Sequence, residues 1–161
     1  MSMKMKTGLV ILIICILLII AGFFIFNNHP AQNQVRVGDI SYTLPDGYHV
    51  GKVNGNNDTV ITNGVDQIFL AVYGKSDVNE YVNNYVDYKK TNNTTVDVKS
   101  FEVGEYKVYK SEIPNDANTT HYWFGKNNKV YSIYSFVNNP NRDDITIKLI
   151  NSISDGQFKL F

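Results

Sequence analysis

A chain of 161 residues that is 43% hydrophobic and 13% aromatic holds enough apolar material for one packed domain plus an appendage, which excludes a wholly disordered chain. Its 15 basic and 15 acidic residues cancel, so there is no global positive field of the kind that gathers nucleic acid, and nucleic acid is not an expected partner. Without Lys4 and Lys6, which precede the first apolar segment, the rest of the chain is slightly acidic.

The first predicted element is "GLVILIICILLIIAGFFIF", residues 8–26, which carries no charge. As a helix it would be roughly 28 Å long, close to a hydrocarbon core of about 30 Å. Lys4 and Lys6 flank its start and the first cation beyond it is Arg36, so the basic bias keeps the N-terminus in the cytoplasm and exports the remainder. The expected organisation is a cytoplasmic stretch 1–7, a transmembrane helix 8–26, a linker 27–34 and an extracytoplasmic domain 35–161. The expected location is the cell membrane, single-pass, with membrane lipid as a partner through the N-terminal helix.

A cleaved signal peptide would have a shorter apolar run ending in small residues, whereas this one leaves through Phe23, Phe24, Ile25 and Phe26 without an A-x-A pattern, so an uncleaved signal-anchor is expected. Ile14 stands where a lipobox would put a small residue before Cys15, and the apolar run continues past it, so Cys15 reads as a small hydrophobe in the bilayer. A pilin-type leader would carry a glutamate near the start of the run, where Ile13 stands. Cys15 is the only cysteine, so the exported part has no disulfide and must be held by packing.

The polar linker "NNHPAQNQ" contains Pro30 and leads to short β-rich pieces around Val35, at 40–44 and at 48–53, with Pro45, Asp46 and Gly47 supplying turn chemistry. Two further strands, 59–62 and 65–73, complete what reads as an antiparallel meander. The period then changes. In "SDVNEYVNNYVDYKK" the apolar residues Val78, Tyr81, Val82, Tyr85 and Tyr88 recur at helical spacing, Asp77 can cap, and Glu80 completes a capping-box pattern, predicting an amphipathic helix lying on the sheet.

Strands return in "TVDVKSFEV" and "YKVYKSEI" around Gly104-Glu105, then in "THYWF" and "VYSIYSFV" around "GKNNK". Alternation sends His121 and Trp123 to one face and Tyr122 and Phe124 to the other; it likewise separates Tyr131 and Ile133 from Val130, Tyr134 and Phe136. Both faces are apolar, as in a central strand covered on each side. A core is therefore the expected role of these aromatics, with Tyr122, Trp123, Tyr131 and Tyr134 as the candidate binding surface if they prove exposed. The closing "DDITIKLINSI" opens with acids suited to a helix N-terminus and spaces Ile145, Leu149, Ile150 and Ile153 on one face. Helices mixed among strands in this way predict an α+β domain with a mainly antiparallel β-sheet packed against helices.

The segments "YTLPDGYHV", "DVNEYVNNYV", "HYWFGKNNKVYSIYSF" and "DITIKLINSI", across 40–153, resemble the PsbP-like sandwich superfamily, which takes in Mog-like and DcrB-like domains. The resemblance implies an antiparallel sheet between helices and a role in binding proteins or supporting complexes at membranes. It carries no functional residue across, and the predicted anchor replaces the lipid or transit signals common in such relatives.

No catalytic motif is present: there is no G-x-S-x-G elbow, phosphate-cradling glycine loop or dinucleotide fingerprint. The three histidines, His29, His49 and His121, are far apart and lack zinc-site spacing, so neither metal nor cofactor is expected. "NNPNRDD" lacks the central glycine and closing glutamate of a calcium loop and reads as a helix-capping turn. The acceptor pattern N-x-[ST] occurs at Asn57, Asn92, Asn93 and Asn118, which makes them candidate glycosylation sites in an exported domain. The functional expectation is a non-catalytic, membrane-anchored binding or scaffolding module of the cell envelope, with an envelope protein as partner. The alternatives are an envelope enzyme with an unrecognised, hydrolytic site and a pilin-like assembly subunit.

Overall fold

The computed structural model describes residues 33–52, 58–74, 77–114, 116–136 and 138–155. The predicted span 8–26 lies outside them, and among the described residues no helix is long and apolar enough to cross a membrane. Ten strands and two helices are described. In chain order they are β1 (Gln34–Val37), β2 (Ile40–Thr43), β3 (His49–Val50), β4 (Thr59–Thr62), β5 (Gln67–Tyr73), α1 (Val78–Thr91), β6 (Asp97–Val103), β7 (Tyr106–Ile113), β8 (Asp116–Lys126), β9 (Lys129–Ser135), α2 (Arg142–Asn151) and β10 (Ser154–Asp155).

The strands form a seven-stranded antiparallel sheet in the order β3-β4-β5-β9-β8-β7-β6 and a three-stranded sheet in the order β1-β2-β10. The fold is α+β, as the alternation of periods predicts. The expected single meander is corrected: β2 pairs with β1 and β10, whereas β3 pairs with β4, so the chain changes sheets across the Pro45-Asp46-Gly47 turn. Gly47 has φ +82, a left-handed backbone that side chains resist, which lets the turn redirect the chain so sharply. The turn therefore separates layers as well as strands.

Strand alternation sorts the core. Tyr122, Phe124, Tyr131 and Ile133 point to one face of the large sheet and pack with Ile40, Tyr42, Leu149 and Ile150, which belong to the small sheet and α2. Trp123 and Val130 point to the other face and meet Val82, with Val78, Tyr81 and Tyr85 of α1 packed around them. β9 lies at the middle of the seven strands, so apolar residues on both its faces are covered, as its sequence predicts.

α1 is capped as expected: the Asp77 carboxylate accepts from the backbone N–H of Asn79 at 2.7 Å and of Glu80 at 3.0 Å. Tyr88 departs from its predicted place on the buried stripe, since it is 65% exposed in the last turn. α2 buries Leu149 and Ile150, half-buries Ile145 and ends at Asn151, so Ile153 falls just beyond it. The hairpin between β8 and β9 turns on Asn127 and Asn128, both at positive φ, a conformation asparagine tolerates better than most residues.

Candidate functional site

The four aromatics named as a candidate binding surface are core side chains. Tyr122 and Tyr131 are fully buried, and Trp123 and Tyr134 nearly so, at 1% and 7% exposure. On the α1 side, ring follows ring across the sheet: Phe69 stacks on Tyr134 at 4.9 Å, Tyr134 on His121 at 5.0 Å, and His121 on Trp123 at 5.3 Å. Tyr85 of α1 then closes on Trp123 at 4.8 Å. These rings cannot serve as an exposed platform, because the neighbouring strands and α1 occupy their contact surfaces. His121 pays for its place in the stack: burial first, and then the nearby Lys89, pull its pKa from near 6.5 down to about 4.

Polar chemistry gathers where α2 meets β7 and β8. Lys110 on β7 stands opposite Tyr122 on β8, and both reach the first turn of α2. The Lys110 ammonium lies 2.7 Å from Glu112 and 2.9 Å from Asp143, and it sits over the Tyr122 ring at 5.8 Å. The Tyr122 hydroxyl donates to Oδ1 of the same Asp143 carboxylate, both of whose oxygens Lys110 reaches. Next to this, buried Arg142 donates from Nη1 to Thr120. Burial alone would raise the Asp143 pKa, but the Tyr122 hydroxyl and Lys110 outweigh it and leave the carboxyl below its ordinary range. Burial, together with the bond to Asp143, raises Tyr122.

Lys110, Glu112, Thr120, Arg142 and Asp143 line an open cleft of about 520 Å³ with Asp97, Asn138 and Pro140, and Tyr122 lies buried behind it. A second open cleft, of about 640 Å³, lies between the 45–48 turn and the start of α2. There the Tyr48 hydroxyl donates to Asp66 at 3.3 Å and the Asn139 amide donates to the same oxygen at 2.6 Å. Burial and Asp66 push the Tyr48 hydroxyl up to about 12. Among the described residues no group of three or more His, Cys, Asp or Glu side chains could hold a metal ion. His49 is exposed on β3, and His29 lies outside the described residues.

Of the candidate glycosylation sites, Asn92 and Asn93 are exposed at the end of α1, where Asn92 Nδ2 also donates to the Tyr88 carbonyl at 2.7 Å. Asn57 and the Asn118 side chain lie outside what is described. Sequence reading placed Asp143 and Asp144 at a helix N-terminus and missed the partners of Asp143. Lys110 and Tyr122 precede it by 33 and 21 residues, with no motif joining them, so only the fold brings them together.

No family model matches this chain, and no curated protein matches it. Among solved structures it is similar to a crystal structure from Bacteroides thetaiotaomicron VPI-5482, with TM-score 0.51 and 10% identity over 80% of this chain. The match spans half the length of that protein and shows a shared fold alone. It is also similar to the solution structure of cyanobacterial PsbP (CyanoP) from Synechocystis sp. PCC 6803, with TM-score 0.49 and 6% identity, covering 80% of this chain and 95% of that one.

Proposed function

We propose that the chain is a membrane-anchored extracytoplasmic binding or scaffolding module of the cell envelope, working without catalysis through contact with an envelope protein. The charge-free run 8–26, with Lys4 and Lys6 just before it and no cation after it until Arg36, supports the anchored topology. The resemblance of the sequence to PsbP-like sandwich domains supports a role in contact at membranes, as analogy of fold rather than of site.

One observation carries the binding reading: the charges in the cleft beside α2 are already matched to one another. Lys110 is shared between Glu112 and Asp143, and Tyr122 also donates to Asp143. A general acid or base works best with a pKa near the working pH, whereas Asp143 is pushed lower and Tyr122 higher. A fixed set of donors and acceptors around an open cleft suits the recognition of a polar protein surface.

The test is affinity purification of the full chain from detergent-solubilised membranes of its own host, beside Glu112→Arg, which reverses a half-exposed charge at the cleft rim. A component retained by the parent and lost by the variant is the expected outcome. Identical co-purifying sets would sink the cleft as the contact surface.

A further inference from the structure

We propose that the end of the domain formed by the 63–66 turn, Phe136 and the last turn of α1 is a lipid-contact surface, lying in the headgroup region of the bilayer that holds the chain's own apolar segment. The inference rests on the anchored reading and adds which end of the domain touches lipid.

Strand register defines the two ends of the large sheet. Thr62 pairs with His49 and with Gln67, and Phe69 with Tyr134, which brings the 63–66 turn level with Phe136 just past β9. Thr120 pairs with Ser135 at this same end. α1 runs toward it, since Val78 lies against Gly125 near one hairpin while Tyr85 lies against His121. Its last turn therefore carries Tyr88, Lys89 and Lys90 to the Thr120 end.

Exposed apolar side chains follow this division. Val65 is 83% exposed, Tyr88 65% and Phe136 54%, and Val50, which pairs with Ile61 one rung further in, is also exposed. Among the described residues, the opposite end shows polar hairpins instead, with Glu105, Asn127 and Asn128 exposed. Among the described residues the exposed large hydrophobics thus gather at one end, and grouped apolar exposure marks a contact surface.

The occupant follows from where the described chain begins. The Asn33 carbonyl accepts from the Leu44 N–H at 2.6 Å, and Leu44 and Pro45 line the same cleft as Asn63, Asp66 and Asn139. Residues 27–32 separate Asn33 from the proposed span and reach at most about 20 Å when fully extended. The apolar end is thus the end at which the described chain begins, and the tether joins the domain there. Apolar side chains that enter the headgroup boundary sink roughly 5–10 Å. Tyrosine suits that boundary, and the stems of Lys89 and Lys90 can lie along it with their ammonium groups at the phosphates. Asp46, Asp66 and Asp144 line the adjoining cleft, so net anionic charge on the lipid does not drive the contact.

The full chain carrying Cys15→Ala is reconstituted into phosphatidylcholine vesicles with an environment-sensitive label at Val65→Cys or, as the far-end control, at Glu105→Cys. Quenching by lipids brominated near the headgroup is then read. Flotation with the vesicles together with roughly a twofold or greater loss of emission at position 65 and little at position 105 is the expected result. Flotation without quenching at 65, or with equal quenching at both positions, overturns the proposal while leaving the anchor standing. Failure to float overturns the anchor and the proposal together. Self-quenching between labels at 65 that is relieved on dilution of protein into excess lipid, without quenching by the brominated lipid, assigns the surface to a second copy and also overturns it.

Discussion

The two faces of the seven-stranded sheet are buried by different means. Toward α2 the core joins both sheets through Ile40, Tyr42, Phe124, Tyr131, Leu149 and Ile150. Toward α1 a row of rings runs from Phe69 to Tyr85 with a histidine inside it. The first face is held by volume filled, with the Asp143 carboxyl beside it titrating only at more acid pH, so between pH 5 and 8 its stability should depend on shape and hardly on pH. The second contains a titratable ring with lost hydration, so its stability should depend on both. Covering the two faces of one sheet thus gives them unlike sensitivities.

The largest effect expected is from Trp123→Ala, which opens a cavity under α1 and should cost about 3–5 kcal/mol, against about 2–5 for Leu149→Ala under the small sheet. Urea unfolding at pH 5 and pH 8 checks this. The Leu149 deficit should be the same at both pH values, and a pH-dependent Leu149 deficit would break the contrast between the faces.

Acid titration sharpens it further. The folded pKa of His121 lies near 4, below the ordinary value of about 6.5, so the unfolded chain binds more protons between those limits. The contribution from His121 is constant above about pH 6.5, falls as pH drops toward 4, and amounts to a loss on the order of 3 kcal/mol. His121→Phe should flatten that limb in a series of unfolding curves; parallel curves for parent and variant would remove His121 as the cause.

A smaller effect follows from Tyr122→Phe, which leaves the ring packed but takes away the hydroxyl bond to half-exposed Asp143, at a cost of about 1–2 kcal/mol. Smallest is Asp77→Ala, about 1 kcal/mol, because it strips one cap from a helix that keeps its packed face. Thermal melts rank the two, and a larger loss at Asp77 would mean that α1 is held by its cap rather than by the rings beneath it.

The legible parts of this fold were those written in local spacing. The cap at Asp77 and the helical recurrence of Val78, Tyr81, Val82 and Tyr85 locate α1, and the two-residue period separates Trp123 from Tyr122 and Phe124 with no knowledge of the partners. The change of sheet between β2 and β3 was not legible, because an alternating strand presents the same pattern whichever neighbour it pairs with. Tyr88 shows another limit: it keeps the helical period but lies beyond the strand residues that α1 covers. The contacts of Lys110, Tyr122 and Asp143 were invisible for the plainest reason, since separation along the chain carries no sign of which charges a β-α junction will bring together.

The large sheet also has two unlike borders. β3 contributes two residues at one border, while β6 presents seven at the other, with its single described ladder partner in β7. A strand edge of that length is a template for pairing with another chain. Asp97, Lys99 and Glu102 are exposed along it, so any incoming strand would have to set charges beside charges. Replacing those three side chains with apolar ones would leave that border open to edge-to-edge pairing.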